Sequence, residues 1–194
     1  SGYEGEQKFA SLLTKFLTAE HITHFDFIFD AQGSITQIDC YIILSHKIIL
    51  IEVKNFKGEY VMEDGVFKSL TTDKKYQKPL YQLHRAENNV TNLLESMQVN
   101  LPLQAFVVFV HDQFTLYANY NEQIILPTQL EQFLMRLNND AKPLTQNHHE
   151  IARYLAAHHL PDNPSERMPT YDFQSLHKWI FCAQCRQATK KIRK

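Results

Sequence analysis

The first stretch of the chain, residues 3–20, repeats its apolar residues with the period of an α-helix. The repeating residues are Phe9, Leu12, Leu13, Phe16 and Leu17. Their i, i+3, i+4, i+7, i+8 spacing predicts an amphipathic helix. Glu6 precedes the first of them by three residues, so its side chain should point toward the apolar face. A first-turn glutamate stabilised by the helix dipole is the alternative interpretation.

The next part of the chain has the pattern of β-strands. Apolar stretches predict strands at 25–30, 36–44 and 47–53, and "AQGS" after the first of them predicts a turn. Only Ser45 and His46 separate the second and third strands, so these two strands should form an antiparallel hairpin. The segments "GEYVM" and "VFKSL" flank "EDG", which predicts another hairpin.

The second half of the chain returns to helical spacing. A long helix is predicted at 79–98, and further helices at about 128–138 and 147–158. The continuous apolar run at 104–110 predicts a buried strand parallel to an earlier one, and "TLYANY" and "EQIILP" are candidates for edge structure. The order α, β-meander, α, β predicts the α/β class, with a mixed central sheet flanked by helices.

Composition indicates a globular domain followed by a linker and a basic tail. A length of 194 residues with 44% hydrophobic and 21% charged residues is typical of a globular protein, and we expect one domain at 1–160. The Pro-rich segment 161–170 predicts a linker, followed by a basic tail at 171–194. A net charge of −1 provides no strong global attraction to DNA or membranes. No apolar run is long enough to predict a membrane helix, and three sparse cysteines suit a reducing cytoplasm.

Charged residues interrupt the two central strands at positions that should meet. Glu52 and Lys54 are two residues apart in a strand and therefore share a face. A two-residue hairpin at Ser45 and His46 would pair Asp39 with Glu52 on that face. Two close carboxylates repel each other unless a cation lies between them, and Mg²⁺ or Mn²⁺ prefers such oxygen ligands. An ion pair of Lys54 with either carboxylate is the alternative.

Three motifs in this order resemble the NERD (nuclease-related) domain of the PD-(D/E)XK nuclease superfamily. They are "GE" in the first helix, "QID" in one strand and "IEVKNFKG" in the next, and the matching motifs span about residues 5–82. The resemblance implies a restriction-endonuclease-like core of order αβββαβ. It also implies metal-dependent hydrolysis of phosphodiester bonds in nucleic acid, most of all in DNA.

The resemblance assigns roles to individual residues. Asp39, Glu52 and the backbone carbonyl of Val53 would hold Mg²⁺ or Mn²⁺. Lys54 would be the catalytic lysine, which assists the attacking water and the charge that develops on the phosphate.

Two helical residues complete the implied site. Glu6 matches the family's helix glutamate near the metal. "KPLYQ" is similar to the family's NPxxQ segment, with Lys78 in place of the usual asparagine, so Gln82 would reach the site. A surface glutamine beside the apolar stripe is the alternative for Gln82.

Basic residues near these motifs are candidates for contacts with a nucleic-acid backbone. They are Lys57, Lys74, Lys75, Lys78 and Arg85. Solvated lysines at a strand end and at a helix start would give the same pattern.

The basic tail contains Cys182 and Cys185 in the C-x-x-C spacing of one zinc knuckle, and His177 is a third candidate ligand. The resemblance to NERD proteins, which often carry a C-terminal zinc-finger or other DNA-binding module, implies such a module here. A partial zinc ribbon that binds Zn²⁺ and a free-thiol pair on a basic tail are both compatible with this spacing. Cys40 should lie on the strand face opposite Asp39, as a small buried residue.

Three functional hypotheses follow. The first is a metal-dependent nuclease that acts on DNA, or less readily on RNA. The second is a non-catalytic nucleic-acid-binding or scaffolding module that retains the nuclease fold. The third is a nuclease that acts only as a homodimer or with a partner that supplies affinity for DNA.

Overall fold

The computed structural model describes residues 2–63, 66–161, 180–181 and 188–189. The helices are α1 (Gly2–Phe16), α2 (Pro79–Ser96), α3 (Leu130–Arg136) and α4 (Gln146–His158). The strands are β1 (Ile22–Ala31), β2 (Ser34–Leu44), β3 (Lys47–Lys54), β4 (Gly58–Glu63), β5 (Val66–Ser69), β6 (Lys75–Tyr76), β7 (Leu103–Phe109), β8 (Phe114–Ala118), β9 (Ile124–Ile125), β10 (Ile180–Phe181) and β11 (Ala188–Thr189).

The main sheet has the strand order β1-β2-β3-β7-β9. β1, β2 and β3 pair antiparallel, and β7 pairs parallel to β3. The β2–β3 hairpin pairs Leu44 with Lys47, so the two-residue connection predicted from the sequence is confirmed. The parallel placement of the apolar run after the long helix is also confirmed. A mixed sheet flanked by helices is the predicted α/β class.

Two layers of buried side chains cover the two faces of this sheet. Ile49, Ile51 and Val53 of β3 pack in one layer with residues of α1 and α3. Ile48 and Leu50 pack in the other layer with residues of α2 and α4. Because side chains alternate along a strand, Glu52 and Lys54 continue the series that faces α2.

The alternation of faces is interrupted in β2, beside Asp39. Cys40 packs in the layer of α1, whereas Ile38 packs in the layer of α2, although residues two apart in a strand normally share a face. The paired strand β1 carries a left-handed residue at the same level, Asp26, with a φ of 55°. A non-glycine residue in this conformation marks a local departure from regular strand geometry. Asp39 therefore lies at the point where the alternation of side chains along β2 is shifted from one face of the sheet to the other.

A second sheet with the order β6-β5-β4-β8 stands at the end of β3. Its β4–β5 hairpin was predicted, and "TLYANY" does form edge structure as β8, but the pairing of β8 with β4 and of β6 with β5 was not predicted. β6 has only two residues, and β8 is remote in the sequence, so no local pattern signals this pairing. Aromatic rings join the second sheet to the main sheet, including the stacked pair Phe109 and Phe114 at 4.0 Å between centroids.

Some predicted boundaries were wrong for identifiable reasons. α1 ends at Phe16 instead of residue 20, because Asn138 Oδ1 accepts the backbone N–H groups of Thr18 and Ala19 at 2.8 Å. β1 is longer than predicted and β2 begins at Ser34.

Several predictions fall outside the described residues. The linker is described only at residue 161, and the tail only at the two short strands β10 and β11. Cys182, Cys185 and His177 therefore remain a predicted zinc site. Within the described ranges, none of the helices has the length and apolar character needed to cross a membrane.

Candidate active site

Glu52, Lys54 and Gln82 form a hydrogen-bonded group at the end of β3. Lys54 Nζ lies 2.6 Å from Glu52 Oε1 and 3.2 Å from Gln82 Oε1. Glu52 is only 4% exposed, and an ionised carboxylate at such a position needs a charged partner. Gln82 reaches the lysine from the first turns of α2. The structure thus brings together Glu52 and Lys54, as their spacing predicted, and Gln82, as the family resemblance implied.

Asp39 joins this group through the backbone of β3. Its Oδ2 accepts the N–H of Val53 at 2.7 Å. The hydrogen-bonded register of β2 and β3 extends from Leu44 with Lys47 to Cys40 with Ile51, one step short of Asp39 and Glu52. The Asp39 side chain therefore takes over the contact with β3 where regular pairing ends.

The electrostatic environment of Asp39 is unusual for a carboxylate. Burial raises the pKa of Asp39 to about 8, and repulsion from Glu52 and, more weakly, from Glu6 adds to this increase. The hydrogen bond from Val53 and the charge of Lys54 act in the opposite direction. Two further carboxylates thus act on Asp39, and Lys54 opposes them. This group has an excess of negative charge that a bound cation would neutralise.

Gly5 allows α1 to bring Glu6 to this group. A β-carbon at Gly5 would lie 2.7 Å from Cβ of Asn55, directly after β3, which is closer than real β-carbons approach other atoms. The helix can therefore touch the end of β3 only because residue 5 has no side chain. Sequence reasoning gave a role to Glu6 alone. The preceding glycine in the "GE" motif was the signal for this contact.

We expect Gly5→Ala to destabilise the protein by about 1–3 kcal/mol, since the added methyl group meets an atom fixed to the backbone. It should also displace Glu6 and weaken any activity that depends on it. Thermal unfolding followed by circular dichroism measures the first effect. Gly2→Ala is the matched control, because its β-carbon would meet only Glu6 Oε1 at 3.8 Å. Equal stability of the two variants would contradict the close contact.

The donor atoms at this site fit a hard divalent cation. Asp39 and Glu52 supply carboxylate oxygens, which Mg²⁺ and Mn²⁺ prefer, and Asp39 Oδ1 makes no hydrogen bond to any described residue. Among the residues that the structure describes, no group of three or more His, Cys, Asp or Glu side chains is arranged to hold a metal. The candidate ligands that these residues offer to a cation are therefore two carboxylates, those of Asp39 and Glu52.

The predicted basic residues lie on different elements around this end of the sheet. Lys57 is exposed between β3 and β4, and Lys74 and Lys75 are exposed at the edge of the second sheet. Lys78 immediately precedes α2, and Arg85 donates to the hydroxyl of Ser34. Their contact with nucleic acid stays a prediction.

Cys40 is fully buried and free. Burial raises the pKa of its thiol well above the usual value, so the reactive thiolate is disfavoured. The prediction of a small buried core residue is confirmed.

The fold and the site together define an α/β domain of the nuclease-like class: a mixed sheet, an E-x-K motif at the end of its central strand and a glutamate from the first helix. Comparison with protein-family models matches NERD, the nuclease-related domain, over residues 1–110. This match covers more than half of the chain, and the chain therefore belongs to the NERD family. Comparisons with curated proteins and with solved structures gave no match.

Proposed function

We propose that this NERD domain is a metal-dependent nuclease that hydrolyses phosphodiester bonds of nucleic acid, with DNA as the main substrate. The observation that supports this proposal most directly is the group formed by Glu52, Lys54 and Gln82 beside the half-buried Asp39. A purely structural ion pair would need neither the second carboxylate nor the glutamine. A carboxyl group of raised pKa, such as that of Asp39, beside a lysine is typical of functional sites.

Asp39, Glu52 and the carbonyl of Val53 would hold Mg²⁺ or Mn²⁺. Such an ion, when bound, supplies positive charge for the phosphate and acidifies water. Asp39 is held in place for this role by the N–H of Val53, and Glu52 by its contact with Lys54.

Lys54 is positioned to act on the scissile phosphate. Its ammonium group is held between Glu52 and Gln82, so its position is fixed before substrate binds. A preorganised positive charge stabilises the negative charge that develops as the phosphodiester is attacked. Gln82 acts here as a positioning residue for Lys54, and the Glu6 carboxylate can accept a hydrogen bond from water at the site.

The test is cleavage of end-labelled single- and double-stranded DNA by the purified protein, with Mg²⁺, with Mn²⁺ and with a chelator. We expect cleavage only with a metal, and none in Glu52→Gln. Glu131→Gln, an exposed glutamate on α3, is the matched control and should cleave like the wild type. Cleavage that survives both the chelator and Glu52→Gln would contradict the proposal. A folded wild-type protein that binds DNA but never cuts would favour the non-catalytic module.

A further inference from the structure

The outer face of α2 carries a row of polar side chains that the proposed reaction does not use. The row consists of Lys78, Tyr81, Arg85, Asn88 and Asn92. The spacing of three or four residues places the four members within α2 along one face of the helix, and Lys78 stands immediately before its first turn. The opposite face, with Leu83 and Val90, is buried against the sheet. Gln82, which contacts Lys54, lies beside the start of this row.

Tyr81 is the conspicuous member of the row, because it is 66% exposed. Arg85 lies one helical turn further along the same face, and Lys78, the residue immediately before the helix, precedes Tyr81 by three residues. Aromatic rings between cations are the combination by which proteins bind single strands: bases stack on the ring, and phosphates pair with the cations.

The positive charges of the row are not neutralised within the described structure. Lys78 forms no ion pair with a described residue, and Arg85 donates to the neutral hydroxyl of Ser34. The first turn of α2 contains no acidic residue, and the first carboxylate along the helix is that of Glu87. This end of α2 therefore favours an anionic ligand.

A cavity of about 280 Å³ opens at the far end of the row, between α2, α4 and the β1–β2 turn. Asn89, Asn92, Asp30 and Tyr154 are among its lining residues. Amide and carboxylate groups match the hydrogen-bonding edges of bases, and a tyrosine ring offers a surface for stacking. The Asp30 carboxylate disfavours a phosphate, so the chemistry of this cavity suits a base.

We propose that the outer row of α2 is a binding track for single-stranded nucleic acid. One base stacks on Tyr81, and a second base enters the cavity beside Asn92, roughly 15 Å further along the helix axis from Gln82. The inference rests on the proposed function, because the strand on this track is the one presented to Lys54. A duplex keeps its bases paired and stacked inside, and it can use neither the ring nor the cavity.

The test measures binding without cleavage. Fluorescence anisotropy in a chelator would follow labelled oligonucleotides of about 12 nucleotides, within the usual range of single-strand sites, as single-stranded DNA, single-stranded RNA and duplex DNA. We expect at least one single strand to bind more tightly than the duplex. Tyr81→Ser should weaken that binding about tenfold or more, whereas Tyr81→Phe should retain it. Asn92→Ala should weaken it several-fold.

The contribution of positive charge to binding can be measured separately, from the dependence of affinity on salt concentration. If Arg85 contacts a phosphate, Arg85→Gln should lower the slope of log affinity against log salt by about 0.7 for a single strand. Arg136→Gln on α3, which packs on the other face of the sheet, should leave the slope unchanged. An unchanged slope in Arg85→Gln would contradict this contact.

Tyr120→Ser is the control for Tyr81, since Tyr120 is 90% exposed and lies outside α2. Equal binding by Tyr81→Ser and wild type, or equal affinity for duplex and single strands, would overturn the track. A protein that binds through Tyr81 but never cuts would contradict only the nuclease activity. A protein that cuts with a metal, yet binds independently of Tyr81, would contradict only the track.

Discussion

Replacing Asp39 by asparagine should stabilise the metal-free protein at neutral pH and, at the same time, abolish cleavage. The folded-state pKa of about 8 lies above the ordinary value of 3.8, so the folded protein binds a proton that the unfolded chain releases. Below about pH 4, Asp39 therefore costs the folded state no stability. The cost of ionising its buried carboxyl group grows as pH rises and is complete above about pH 8. Asparagine carries no such cost and can still accept the N–H of Val53.

Melting temperatures in a chelator between pH 5 and pH 9 would measure this effect. The advantage of Asp39→Asn should grow with pH and level off above about pH 8. It should reach at least about 1.4 kcal/mol, the equivalent of one pKa unit, or roughly 3–6 °C for a chain of this size. Added Mn²⁺ should raise the melting temperature of the wild type and leave that of the variant unchanged.

Asp112→Asn is the control, because the pKa of Asp112 is shifted in the opposite direction from that of Asp39. Asp112 pairs with Lys8 at 2.6 Å, and the hydrogen bond from that lysine lowers the pKa of Asp112. Its replacement should bring no gain in stability at any pH. A variant Asp39→Asn that is less stable than the wild type across the whole range would contradict the electrostatic description of the site.

Removal of Lys54 should have two separable effects, one on stability and one on catalysis. Lys54→Ala leaves Glu52 buried without its charged partner, which should cost about 3 kcal/mol, the lower end for buried pairs because the lysine side chain is 21% exposed. Cleavage should fall by at least about a hundredfold, since a preorganised positive charge is lost.

The double variant Glu52→Gln with Lys54→Ala isolates the effect on stability. Neutralising Glu52 removes the unpaired buried charge, so the double variant should be more stable than Lys54→Ala alone by more than about 1 kcal/mol. The effect on catalysis is measured in Lys54→Ala itself, well below its melting temperature, where the variant is folded. Wild-type cleavage under that condition would mean that Lys54 supports the fold and has no part in the reaction.

The sequence predicted the central hairpin and its charges well because their signals are local. Two residues between strands fix the turn, and alternation along a strand then places Glu52 and Lys54 on one face. The approach of Gln82 to this group was also anticipated, although it came from the family resemblance and not from spacing.

Other features depend on contacts that no local pattern encodes. The hydrogen bond between Asp39 and Val53 forms where β2 leaves regular pairing. The left-handed conformation on the opposite strand is adopted by Asp26 and not by a glycine, so the sequence does not signal it. The closeness of Gly5 to Asn55 depends on how α1 crosses the sheet. The end of α1 is set by Asn138, more than a hundred residues away in the sequence.

The second sheet is assembled from two separate parts of the chain. β4 to β6 lie between Lys54 and Gln82, and β8 follows β7. The stacked rings of Phe109 and Phe114 attach the second sheet to the end of the interior strand β7, while Lys74 and Lys75 at its edge are exposed to solvent. The residues of the proposed site lie on other elements. Substitutions on the exposed surface of the second sheet can therefore accumulate without altering the residues proposed to carry the chemistry.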